Sequence, residues 1–485
     1  MFRARSTEPS LSSQTETIEA LFEGAARLAS ETLEENRAGR GPVVRRLSPE
    51  ELGRALELEL PAEGRGLECV LELAAKTLRY SVQTGHTRFT NQLFGGADPA
   101  AIVGEWIAAL SNTSMYTFEA APVGTLVELA LLDKLNDFVG FSEGEGVFAP
   151  GGSISNLMCV LAARQRAFPH IKREGLRPED RPVMFVSEES HYSLERAGLV
   201  AGIGTDGTVL VAVDEVGRMR PEELERSIAS ERAKGRTPFF VAATAGTTVA
   251  GAFDPIADIA DVTESQGLWL HIDGSYGASA LLSRRQRGLL AGCDRADSMT
   301  WNPHKMMGVP ISSSATLMRT KGSLEETLGM HADYLFHGNS DNAYDLGDRS
   351  LQCGRRVDAL KLWFSWQVQG DRGFEERIDA LFGQAARFRE LMEERPGFRL
   401  IREQEGTNVC FRYLHREKRG AEGSERDLHE HAATLAIRAQ LAEEGSFLVN
   451  YASLDGAATF RFVAANPETG DEDLTALLEA IEAAD

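Results

Sequence analysis

Cysteine is scarce in this 485-residue chain: five residues (Cys69, Cys159, Cys293, Cys353 and Cys410), with no CxxC pair among them. An odd, scattered set excludes a disulfide framework and offers no zinc-finger spacing, so reduced thiols of a cytoplasmic protein and no metal are expected. Basic charge is also in deficit. Lys and Arg total 51 against 73 Asp and Glu, a formal charge of −22, which repels nucleic acid and anionic lipid. No stretch of about 18 uncharged apolar residues occurs, and the opening MFRARSTEPSLSSQTETIEA has no apolar leader core. Neither nucleic acid nor membrane is expected as a partner. Internal repeats and low-complexity tracts are missing too.

What is present is ordinary globular composition, 42% hydrophobic and 26% charged, in a chain too long for one core. Residues 14–35 place Ile18, Leu21, Phe22, Ala25 and Leu28 at helical spacing, an amphipathic helix whose apolar stripe needs a surface to cover. LSPEELGRAL then reads as a helix capped at Ser48. From about 96 to 370, short β-rich runs (VMFV, TVLVAV, FFVAAT, LWLHID, SMTW, SSSATLM) alternate with helical stretches. That alternation predicts an α/β fold, a mainly parallel sheet covered by helices on both faces. The tail mixes helical FEERIDALFGQAARFRELMEE with strand-like FRLI, NVCFRYL and ATFRFVAA, an α+β appendage. Three units are therefore expected: an N-terminal helical segment over 1–95, a large domain over 96–370 and a small C-terminal domain over 371–485.

Ligands of such sheets bind beyond the carboxyl ends of the strands, and four features fall there. GVFAPGGSISN reads as strand, Gly-Gly-Ser turn and helix, where backbone N–H groups with the hydroxyls of Ser153 and Ser155 suit a phosphate. Asp273 ends LWLHID, where a buried carboxylate needs a donor, such as a protonated pyridine nitrogen. Lys305 lies in SMTWNPHKMMGVP, flanked by apolar residues that lower an amine's pKa and favour the nucleophilic neutral form. His191 follows VMFVSEES, placed to stack on an aromatic ring. Singly, each has a plain structural explanation: a helix cap, a strand-end salt bridge, a surface lysine, a packed histidine. Jointly they supply what pyridoxal 5′-phosphate requires.

The stretches RFTNQLFGG, NTSMYTFEAAPV, GVFAPGGSISN, SEESHYS, ATAGTTVAGAFDPI, GLWLHID, WNPHK, GDRSLQCGRRVDALKLW and FRFVAANP resemble, over nearly the whole chain, the group II pyridoxal-phosphate-dependent amino-acid decarboxylases. The likeness is closest to their cysteine-sulfinate and glutamate branch. It implies fold type I, the aspartate-aminotransferase-like architecture, and a homodimer in which the N-terminal segment wraps the partner. It also implies roles. Lys305 becomes the Schiff-base lysine, Asp273 the partner of the pyridine nitrogen and His191 the stacking residue. Ser153, Ser155 and His304 bind phosphate, and Thr244 stands near Asp273. Arg461 grips the substrate α-carboxylate, while Gln92, Phe94 and Ser114 line the substrate pocket. The expected reaction is decarboxylation of a small acidic L-amino acid, aspartate, cysteine sulfinate or similar.

The chain also departs from the family pattern. Relatives carry Asp-Ala-Ala-Trp or Asp-Ala-Ala-Tyr where this chain has Asp273, Gly274, Ser275 and Tyr276, so Ser275 brings a hydroxyl to the cofactor. The segment after Tyr334-Leu335-Phe336 is about two residues shorter than in relatives and its Tyr344 aligns with a later family position. Thr87 and Thr90 replace a Pro and a Phe common in relatives. These changes leave two alternatives open: the same cofactor with diverted chemistry (decarboxylation-dependent transamination, oxidative deamination or elimination), or a silent homologue serving as a binding subunit.

Overall fold

The computed structural model describes residues 11–330, 332, 334–336 and 344–484. Twelve strands form in chain order: β1 (Phe89–Thr90), β2 (Glu145–Ala149), β3 (Pro182–Ser187), β4 (Thr208–Val211), β5 (Thr237–Thr244), β6 (Trp269–Gly274), β7 (Ser298–Trp301), β8 (Ser314–Met318), β9 (Phe398–Leu400), β10 (Asn408–Tyr413), β11 (Leu448–Leu454) and β12 (Ala457–Val463). The six β-rich runs of the central region are strands β3 to β8. Their side chains alternate between two buried layers: Val183, Phe185, Val241 and Ala243 join one apolar cluster, and Met184, Val186, Phe240 and Ala242 the other. Burial on both faces explains why these strands read as unbroken apolar runs.

The large sheet has seven strands in the order β2-β8-β7-β6-β5-β3-β4. Its pairs are parallel from β7 through to β4, and β8 runs antiparallel to both β7 and β2. Thr244 pairs in register with Asp273 across β5 and β6, and Asp273 with Thr300 across β6 and β7. This fold-type-I α/β sheet therefore brings three strand ends to one point. A smaller sheet has the order β1-β11-β12-β10-β9, with β1 parallel to β11, so residues 89–90 of the N-terminal segment complete the C-terminal sheet.

Helix Leu11–Arg37 packs on helix Glu68–Tyr80, where Gly24 lies against Leu71. Helix Pro49–Leu56 opens on a capping box in which Ser48 accepts from the N–H of Glu51 and the Glu51 carboxylate accepts from the N–H of Ser48. The run Ala359–Glu393 loses helical geometry at Gly370 (φ 60°, ψ −175°), a left-handed conformation that glycine adopts at little cost. We propose the boundary of the C-terminal unit at that break. Among the described residues no helix is long and apolar enough to cross a membrane.

Candidate active site

A cavity of about 210 Å³ opens at the carboxyl ends of β2, β3, β5, β6 and β7, lined among others by Gly152, Ser153, His191, Thr244, Asp273, Ser275, His304 and Lys305. One wall is the start of helix Gly152–Ala167, which follows β2 directly and turns its first N–H groups to the space. Only glycine fits at 152: a Cβ there would lie 2.6 Å from Ser275 Oγ and 2.7 Å from Asn302 Nδ2. Ser153 lines the cavity. Ser155 is fully buried behind it, its Oγ 2.8 Å from Ser314 Oγ, and Ser314 Oγ donates to Asn302 Oδ1 at 2.6 Å. That chain leaves the Asn302 amide nitrogen facing Gly152.

Lys305 sits in the turn after β7. Its N–H donates to Asn302 O at 3.0 Å, and Arg377 Nε anchors the following residue by donating to Met306 O at 2.7 Å. Burial lowers the pKa of the Lys305 amine, although Asp273 pulls the other way. Beside it, His304 Nδ1 lies against the Ser313 backbone, 2.6 Å from its O and 3.1 Å from its N, and burial pushes its ring down to about 4.

Asp273 is 4% exposed. Its Oδ1 accepts from the Ser275 N–H at 3.1 Å and its Oδ2 from Asn156 Nδ2 at 2.9 Å. Burial raises its pKa most, yet the Ser275 hydrogen bond, neighbouring His271 and Lys305, and Asn156 together outweigh burial and leave it below the usual carboxylate value. Thr244 donates its N–H to Asp254 Oδ2 at 2.7 Å, while its buried hydroxyl has no protein partner. His191 Nδ1 accepts from the Ser193 N–H at 3.2 Å, which leaves the proton of a neutral ring on Nε2. Burial lowers its pKa.

These residues fit pyridoxal phosphate. A buried amine at a turn, a carboxylate held anionic, an orphan hydroxyl at Thr244 Oγ1 and a glycine-floored helix start match the cofactor's aldehyde, ring nitrogen, polar ring edge and phosphate in kind. Arg461 adds a second orphan. It lies on β12, donates from Nη1 to Thr248 O at 3.0 Å and from Nη2 to Asn91 O at 2.8 Å, and keeps a buried Nε–H without a partner. Thr248 lines the cavity, so Arg461 stands just outside the lining.

Three predicted residues are placed elsewhere in the single chain. Loop 91–94 turns Leu93, not Gln92 or Phe94, to the cavity, and Phe94 packs near Phe89 with ring centroids 6.2 Å apart. Ser114 Oγ faces Gly354. Asn156, Ser193, His271, Asn302 and Tyr276 belong to the site and were not read from the sequence. Two of them carry a spacing signal: Asn156 is one helical turn beyond Gly152, and His271 shares a strand face with Asp273 two residues on. The shortened segment after Phe336 lies largely outside the described residues, although Tyr344 packs near Phe118, centroids 5.4 Å apart.

The buried histidines predict an acid weakness. His271 is pushed down to about 4 by burial, as is His304. Between pH 6.5, the ordinary histidine value, and about 4, the unfolded chain binds protons that the folded one refuses. Stability is then full above 6.5 and falls as pH drops, by up to about 1.4 kcal/mol per pH unit for each ring. Urea unfolding of cofactor-free protein should show this slope, and His304→Gln should reduce it by close to one proton. An unchanged slope in that variant would contradict the assignment to His304.

Residues 49–414 match the family model described as pyridoxal-dependent decarboxylase conserved domain. The chain is 43% identical over 481 residues to human cysteine sulfinic acid decarboxylase, covering 98% of this chain and 97% of that protein. It is 44% identical over 440 residues to the mouse protein of that name, covering 90% and 89%. A crystal structure of mouse CSAD in apo form superposes with a TM-score of 0.93 at 41% identity over 97% of this chain and 99% of that one. Oryza sativa TDC with PLP and tryptamine shares the fold, TM-score 0.89 at 23% identity, covering 100% of this chain and 99% of that one.

Proposed function

We propose, from the premise that this chain belongs to the pyridoxal-dependent decarboxylase family, that it removes the α-carboxyl group of a small acidic L-amino acid, with cysteine sulfinate and aspartate the foremost candidates. The enzyme is a carboxy-lyase and its cofactor is pyridoxal phosphate. Overall, the amino acid and one proton become an amine and carbon dioxide. Bound pyridoxal phosphate supplies an electron sink conjugated to the substrate Cα.

The chain's own residues do the rest. Lys305 Nζ, its pKa lowered by burial, is the nucleophile that holds the cofactor and takes it back when product leaves. Asp273 accepts the ring N–H and keeps that proton in place. His191 stacks on the ring and bears its proton on Nε2. Ser153, His304 and the N–H groups at Gly152 hold the phosphate, with Ser155 supporting them through Ser314 and Asn302. Thr244 and Ser275 offer hydroxyls at the ring edge. Arg461 orients the α-carboxylate by its unpartnered Nε–H, and orientation together with a fixed counter-charge is the protein's share of the rate.

The observation that carries the substrate class is 43% identity along the chain's length to a cysteine sulfinic acid decarboxylase, while the unpartnered Nε–H of Arg461 serves the α-carboxylate that all the candidate substrates share. Purified protein loaded with cofactor should be offered cysteine sulfinate, aspartate and glutamate, with carbon dioxide, amine, carbonyl and peroxide all measured. Cysteine sulfinate or aspartate should give amine equal to carbon dioxide, at kcat/KM at least about tenfold above glutamate, the discrimination that one methylene supports. Glutamate preference would overturn the substrate class.

A second reading, diverted chemistry, rests on Ser275, whose side chain lines the cavity beside Gly152. Carbonyl product without amine would establish it, and Ser275→Ala should then restore amine. We further propose a homodimer. Ile18 and Phe22 on the first helix are 48% and 51% exposed, and Gln92, Phe94 and Ser114, away from their own chain's cavity, are candidates for a partner's. A reducing cytoplasmic setting accords with the unpaired cysteines.

A further inference from the structure

Behind Asp273 lies a buried hydrogen-bond chain whose two ends have one permitted direction each. Trp269 Nε1, which can only donate, donates to Ser298 Oγ at 2.8 Å. Ser298 Oγ lies 3.0 Å from His271 Nδ1, and His271 Nε2 lies 3.1 Å from Asn156 Oδ1. Asn156 Nδ2 donates to Asp273 Oδ2 at 2.9 Å and to Ser193 Oγ at 3.1 Å. None of Trp269, Ser298, His271, Asn156 and Asp273 exceeds 4% exposure, so water does not substitute for a missing partner.

The directions follow from the two ends. An ionised carboxylate accepts only, so the Asn156 amide must present its nitrogen to Asp273 and its oxygen to His271. His271 must then carry its proton on Nε2. Burial keeps the ring neutral, its Nδ1 accepts, and the Ser298 hydroxyl is the donor that faces it. Should the Asn156 amide turn over, its oxygen would meet the carboxylate oxygen and Asp273 would lose a donor. Nothing on Asn156 itself forbids this turn. The Asp273 carboxylate opposes it on one side and the donor at His271 Nε2 on the other.

We propose that His271 is a positioning residue for Asp273, acting through the Asn156 amide, so that the anionic carboxylate, and with it the proton on the cofactor's ring nitrogen, depends on a donor at the Nε2 position. This deepens the reading that Asp273 meets the ring nitrogen, and rests on it.

The test loads apo-enzyme with cofactor labelled with ¹⁵N in the ring and reads the ring nitrogen's chemical shift, which reports its protonation, together with the rate of cofactor release. His271→Gln carries an amide N–H close to where Nε2 stands, whereas the shorter His271→Asn reaches only the Nδ1 position. The Gln variant should keep the wild-type shift. The Asn variant should move toward the unprotonated value and release cofactor roughly 10- to 100-fold faster, by analogy with the scale for outer-shell partners of metal ligands. Adding Asn156→Leu to His271→Asn should leave the shift and the release rate within about twofold of Asn156→Leu alone, because one route is removed once. Asp273→Asn serves as the control. If it leaves the ¹⁵N shift at the wild-type value, the Asp273 reading itself fails. If it moves the shift while both His271 variants stay wild-type, or both move together, the role of His271 is overturned, whatever happens to thermal stability.

Discussion

Lys305→Ala should abolish turnover, with kcat reduced by about 10⁴-fold or more, while the cofactor-free protein folds as well as before. The first half follows from chemistry: among the described residues no other amine lines the cavity, and removing the nucleophile of a catalytic unit costs about as much as removing the unit. The second half follows from burial. The amine faces a cavity with no acceptor bonded to it, and desolvation already disfavours its charged form, so deletion removes a liability and opens no sealed void. Lys305→Arg keeps a cation but not a nucleophile, since guanidinium does not deprotonate in proteins, and it should be as inactive as the alanine variant. Borohydride reduction of wild-type holoenzyme should place a cofactor adduct on the peptide containing Lys305. In both variants the cofactor should leave on dialysis. An adduct on another lysine would end the assignment of Lys305.

How much of this site was legible in the sequence depended on what each residue's neighbours require. Strands β3 to β8 stood out because both of their faces are buried, which enforces continuous apolar runs. β11 did not stand out. Its residues Asn450 to Ser453 alternate between half-buried and exposed, and LVNYASL carries no such run. Nor does a linear reading pair Phe89 with Leu448, because that contact is closed by the fold of the intervening chain. Lys305, Asp273, His191 and Ser153 were legible because each follows a recognisable strand end, and the strand ends converge.

The residues that elude such a reading act through others. Asn302 and Ser314 matter because Gly152 and Ser155 leave them facing one another, a relation between three segments. Gln92 and Leu93 illustrate the converse. Within one chain the loop turns Leu93, the residue between Gln92 and Phe94, to the cavity.

Asp273→Asn is expected to be the most informative isosteric change in the molecule. The carboxylate accepts from two donors, the Ser275 N–H and Asn156 Nδ2, and an amide at 273 has one oxygen with which to answer both. One N–H of the new side chain must then oppose another donor at a position only 4% exposed, and an unsatisfied buried group costs about 1–3 kcal/mol. The larger loss is the charge. Without an anion, the ring nitrogen has no counter-charge to keep its proton, and removing one member of a buried ion pair costs about 3–5 kcal/mol. If that loss were only one of affinity, saturating cofactor would restore kcat. Because the protonated ring is what draws electrons from Cα, kcat should stay down by about 10²- to 10³-fold at saturation. Asp273→Glu keeps the charge on a longer arm, so it should retain the protonated ring and lose turnover mainly through misplacement. Full kcat in Asp273→Asn at saturating cofactor would mean that the carboxylate holds the ring without tuning it.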